Sequence, residues 1–100
     1  MNLYVIRRPS AWASDAELEI VAARSARIGN EEMPDLVRWI RSYVVAEADG
    51  RLGTFCIYEA ANEDAIRDHA ARVCMPGDAI WPVKASVVVR PDPVAEAAAA

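Results

Sequence analysis

Histidine and phenylalanine each occur once in these 100 residues, and cysteine only twice. A single histidine, His69, cannot build a histidine-rich metal cluster within one chain. Cys56 and Cys74 stand eighteen apart without a CxxC spacing. Secreted domains this small usually carry four or more cysteines, so the pair reads first as two small buried hydrophobes in a reducing compartment. No apolar run approaches the roughly 18–20 residues that cross a bilayer, so no membrane span is expected. The opening MNLYVIRRPS places its arginines after the apolar stretch, the reverse of a secretory signal. There is no G-x-G-x-x-G, P-loop, HExxH or nucleophile elbow, and no nucleotide cofactor is expected. Positive charge is also scarce. Fifteen acids face eleven basic residues, for a net charge of −4, which argues against a nucleic-acid partner. The expectation is a soluble, acidic, cytoplasmic protein of one small domain.

What is present has a clear order. LYVIRR (3–8) is rich in β-formers and stops at Pro9, a first strand. Ser14 with Glu17 makes a capping-box pattern, and Leu18, Val21, Ala22, Ser25 and Ile28 recur at helical spacing. Gly29-Asn30 then signals a helix end, giving a helix over 15–29. VRWIRSYVV (37–45) and GTFCIYEA (53–60) flank Asp49-Gly50 and read as a hairpin. Asn62 caps a second helix, with Ile66, Ala70 and Val73 as its buried stripe, ending before Pro76-Gly77. Ala79–Val89 reads as a fourth strand, at an edge because of Pro82. The order β-α-β-β-α-β predicts an α+β, ferredoxin-like domain over 1–90, with a four-stranded antiparallel sheet and both helices on one face. Residues 91–100, rich in proline and alanine, read as a flexible tail.

Helices on one face leave the other sheet face to water unless it is covered. The strands do not alternate cleanly with polar residues: Trp39, Tyr43, Phe55, Ile57, Trp81 and Val87 to Val89 put large apolar groups on both faces. Such a patch exceeds what monomers tolerate, so a homodimer with facing sheets is expected.

Two constellations could carry chemistry. Glu59 at the end of the third strand precedes the helix that bears His69. A carboxylate and an imidazole near one another begin a divalent-metal site, although such metals want four to six ligands. If the two meet, the carboxylate should raise the histidine pKa. The plainer alternative is a boundary histidine satisfied by a backbone carbonyl. The second constellation is Arg7, Trp39, Arg41, Tyr43 and Tyr58, which strict alternation places on one face. Two guanidiniums among aromatic rings suit an anionic or aromatic small-molecule ligand. The alternative there is an interface whose arginines pair with acids.

The run from Ser42 to Ala70, with S-Y-V, F-C-x-Y-E-A and E-x-I-R-x-H-A, resembles a family of small proteins named after a nickel-binding member and long classed as a domain of unknown function. The resemblance extends over about residues 2–90. It implies a ferredoxin-like fold, a dimeric α/β barrel and a divalent metal, nickel in the named member. Glu59 and His69 fall within the matching run. No established reaction comes with it.

Overall fold

A computed structural model describes residues 1–94 of the chain. Four strands, β1 (Asn2–Trp12), β2 (Val37–Ala46), β3 (Leu52–Ala60) and β4 (Ala79–Pro82), form one sheet in the order β2-β3-β1-β4, with every neighbouring pair antiparallel. Helices α1 (Asp15–Arg27) and α2 (Glu63–Val73) connect them in β-α-β-β-α-β order. The fold is the α+β, ferredoxin-like one read from the sequence.

The local signals explain most of the boundaries. Ser14 Oγ accepts from the Glu17 amide at 3.2 Å, and the Glu17 carboxylate reaches back to the amide of Ala13 at 3.4 Å. Asn62 Oδ1 caps α2 by accepting from the Ala65 amide at 2.8 Å. Cys74, exposed where the sequence reading expected a buried residue, closes that helix in the left-handed conformation (φ 65°), the position glycine usually takes, while Cys56 is buried as expected. In the β2–β3 turn Gly50 has φ +84° and Asp49 Oδ1 accepts from the Arg51 amide.

Four expectations need correction. The first strand does not stop at Pro9. It runs on to Trp12 through an irregularity between Arg8 and Trp12, where Ser10 has φ 49° and the missing proline donor is tolerated. Gly29 does not end the first helix. The chain continues as a π-helical turn, Ile28–Glu32, and Gly29 is buried against His69 and Val37. The fourth strand is Ala79–Pro82, not Ala79–Val89. Tyr4 pairs with Pro82, and the Val83 amide reaches the Leu3 carbonyl.

The fourth correction concerns β2. A bulge lies between Trp39 and Arg41: Trp39 pairs with Tyr58, and Arg41 with Ile57, leaving Ile40 extra. The parity of β2 therefore switches at Ile40. Trp39, Ser42 and Val44 stand on the helix side, while Arg41 and Tyr43 stand on the open side. Strict alternation had kept all of them in fixed sets.

The core fills the space between sheet and helices. Ile6, Ile28, Met33, Val37, Tyr58, Ile66 and Val73 are buried, with Cys56 and Ala60 beside them. Burying such side chains supplies about 1.5–3 kcal/mol each for the larger ones, and this stripe decides which way α2 faces. No described helix is long and apolar enough to cross a membrane. The part of the expected tail beyond residue 94 lies outside the described residues.

Candidate functional site

Between α1 and the sheet the packing opens into a cavity of about 300 Å³. Its floor is the helix-side face of the sheet: Arg8 and Trp12 from β1, Trp39 and Val44 from β2, Cys56 and Tyr58 from β3. Leu18, Val21 and Ala22 of α1 form the roof, Met75 closes one side, and the exposed Glu19 stands at the rim. The cavity is partly open to solvent, and Trp39 and Val44 of its wall are partly exposed.

The polar side chains in the wall are spent on one another. Ser25 and Tyr58 share a hydrogen bond at 3.3 Å. Trp39 Nε1 donates to Ser42 Oγ at 2.8 Å, and Cys56 Sγ donates to Thr54 Oγ1 at 3.3 Å. Arg8 is the exception. It is 0% exposed, and its Nε donates to the Pro76 carbonyl. Its guanidinium carbon stands 5.9 Å from the centre of the Tyr58 ring. Both Nη atoms are buried without a hydrogen-bond partner, and no described carboxylate forms an ion pair with them. A buried charge left uncompensated costs several kcal/mol, so this arginine is unlike the solvated ones on the helices.

His69 borders a second, smaller recess of about 80 Å³ that shares Ser25, Trp39 and Tyr58 with the cavity. The ring is 1% exposed, and its Nε2 lies 3.0 Å from the Ser25 carbonyl oxygen. A carbonyl only accepts, so Nε2 carries the proton and Nδ1 is left as a buried acceptor with no partner. The ring meets Tyr58 edge-on at 5.6 Å. Burial lowers its pKa, and Arg8 and Arg72 push the same way against the Ser25 carbonyl and Asp68.

The structure does not bring Glu59 and His69 together. Glu59 lies between buried Tyr58 and Ala60 on β3, so it projects from the opposite face, opposite Leu3 and Arg38 in register. His69 packs on the helix side. The sheet stands between them, and the expected rise in the histidine pKa becomes a fall.

The aromatic and arginine set divides in the same way. Trp39 and Tyr58 stack at 6.3 Å in the cavity wall. Arg7, Arg41 and Tyr43 stand on the open face. Arg7 pairs with Glu47 at 2.7 Å and lies 4.5 Å over the Phe55 ring. Arg41 Nη1 and the Tyr43 hydroxyl both donate to Asp92, at 2.9 and 2.6 Å. These contacts, Tyr43 foremost, hold the Asp92 carboxyl below its ordinary range. All three of these residues are committed to neighbours. The arginine in the cavity is Arg8, which the sequence reading passed over. The signal was parity: Arg8 shares its face with Tyr4 and Ile6, and Arg7 with Leu3 and Val5.

A family model described as nickel responsive protein SCO4226-like matches residues 4–83. The chain belongs to this family. Among solved structures, it is similar to the crystal structure of SCO4226 from Streptomyces coelicolor A3(2). The TM-score is 0.66 at 16% identity, covering 85% of this chain and 99% of that one. At that identity the SCO4226 likeness speaks for the fold alone. No match is found among curated proteins. The SCO4226-like region takes in every residue of the cavity wall, from Arg8 to Met75.

Proposed function

We propose that this protein binds a small, largely apolar molecule and works as a homodimer. The cavity between α1 and the sheet carries the first half of this reading. It is walled by Trp12, Trp39, Tyr58, Leu18, Val21 and Met75, and its volume of about 300 Å³ falls at the lower end of ligand pockets. A concave, mostly apolar cleft of this kind is the usual shape of a small-molecule site. The test is a titration of tryptophan emission with a panel of small aromatic acids and their neutral analogues. Saturable quenching in the wild type, lost when Ala22→Phe fills the space, is the expected outcome. No response to any of the panel contradicts the reading.

The open sheet face supports the second half. Trp81, Tyr43, Ile40 and Phe55 are each between 40% and 55% exposed there, and Val87, Val88 and Val89 lie beside them almost fully exposed. A second copy presenting the same face would cover this surface by symmetry. Sedimentation equilibrium on the wild type and on Phe55→Glu tests it.

The family description names nickel, and Glu59 and His69 are the donors that the sequence suggests for it. Nickel bound by nitrogen and oxygen wants several convergent ligands. Here the sheet separates the two residues, and His69 is buried with Nε2 committed to Ser25. Among the described residues no three of histidine, cysteine, aspartate and glutamate stand close enough to hold an ion. These side chains do not fit a nickel site within one chain, and nickel has no part in the proposed function.

A further inference from the structure

We infer that the cavity selects a small apolar monocarboxylate, held by the two free Nη atoms of Arg8; this rests on the ligand-binding reading above. Three observations lead to it. First, the Nη atoms are the only buried side-chain nitrogens or oxygens of the described cavity wall that lack a partner. Ser25, Ser42, Thr54, Trp39, Cys56 and Tyr58 have already paired among themselves. A ligand with several hydroxyls or amides would lose its hydration without recovering it, so sugars and nucleosides are rejected.

Second, the unpaired group is a cation at 0% exposure with its Nε held by the Pro76 carbonyl. That bond holds the guanidinium at the cavity wall and leaves both Nη atoms buried there without a partner. A planar carboxylate matches a guanidinium fork with two parallel N–H···O bonds, and its single charge compensates the single charge of the arginine. Third, the rim carries Glu19 and the chain is net negative, which disfavours a second anionic group on the ligand. The rest of the ligand meets mainly aromatic and aliphatic side chains, since the hydroxyls of Ser25, Ser42 and Thr54 are already paired.

Calorimetric titration with phenylacetate, its neutral isostere phenylacetamide, and acetate separates the outcomes. The expected result is a dissociation constant for phenylacetate on the order of 10–100 µM. Phenylacetamide and acetate should each bind at least tenfold more weakly. Arg8→Met should weaken phenylacetate at least thirtyfold and remove the preference over phenylacetamide. Arg8→Lys, which keeps the charge without the fork, should retain only part of the affinity and guards against misfolding of the first variant. Equal binding of phenylacetate and phenylacetamide, unaltered in both variants, overturns the carboxylate inference and leaves the apolar-ligand reading standing. Failure of all three probes to bind at millimolar concentration overturns both.

Discussion

The guanidinium of Arg8 and the ring of Tyr58 lie 5.9 Å apart on the helix side of the sheet, both shut off from solvent. Tyr58 shares a hydrogen bond with Ser25, and burial pushes its pKa up against the pull of Arg8, so the phenol stays neutral beside the arginine. The charge of Arg8 is thus softened but not neutralised.

This arrangement sets function against stability. Replacing a buried, uncompensated ion with a side chain of similar volume is often neutral or stabilising. Arg8→Met should therefore unfold in urea at the wild-type midpoint or above it, with a gain of up to about 2 kcal/mol when no ligand is present. The lost bond to the Pro76 carbonyl offsets part of the gain. A loss of several kcal/mol would mean that Arg8 is a structural pillar.

Removing the partner of Tyr58 should have the opposite effect. Ser25→Ala leaves a buried phenol without its hydrogen bond, at a cost of about 1–3 kcal/mol. Ser25→Ala combined with Tyr58→Phe removes both ends and should recover much of that loss. Denaturant melts of the two variants check this, and strict additivity would deny the coupling.

His69 makes the protein sensitive to acid. Its folded pKa lies below the ordinary value of 6.5, chiefly through burial. The unfolded chain therefore binds the proton first as pH falls. Stability is full above about pH 6.5 and declines as pH drops below it towards the folded pKa. His69→Gln should flatten that part of the profile. Glu59→Gln should leave the imidazole titration, followed by NMR, where it was, because the two side chains face opposite sides of the sheet. Nickel affinity, if any is measured, should be the same in the wild type and in His69→Ala.

The open face supplies a prediction about assembly. Trp81 on β4 and Phe55 on β3 stand on it half-exposed. Phe55→Glu or Trp81→Glu should shift sedimentation from dimer to monomer at micromolar concentration. Both should leave binding in the cavity of each subunit intact. An unchanged sedimentation profile would place any self-association elsewhere.

The architecture was legible because its punctuation is local. Ser14, Asn62 and the Asp49-Gly50 turn each act over three or four residues, and the stripe of Ile66, Ala70 and Val73 shows directly in the spacing. The site was much less legible. Its residues were grouped by alternation, and alternation fails where a bulge inserts one residue. Ile40 is neither glycine nor proline and carries no mark of a bulge, yet it separates Trp39 from Arg41 and Tyr43. Arg7 and Arg8 look alike as adjacent arginines within the first strand. Only the tertiary packing of α1 and Met75 over one face makes the second of them buried and unpaired.

The central claim is that the cavity over Arg8 takes up a ligand, and the three tryptophans report on it directly. Trp12 and Trp39 line the cavity, and Trp81 stands on the open face. In an NMR titration of the nitrogen-labelled protein with phenylacetate, the indole signals of Trp12 and Trp39 should shift together and saturate, while that of Trp81 stays in place. Unmoved signals from Trp12 and Trp39 at saturating phenylacetate, or a shift confined to Trp81, would contradict the account.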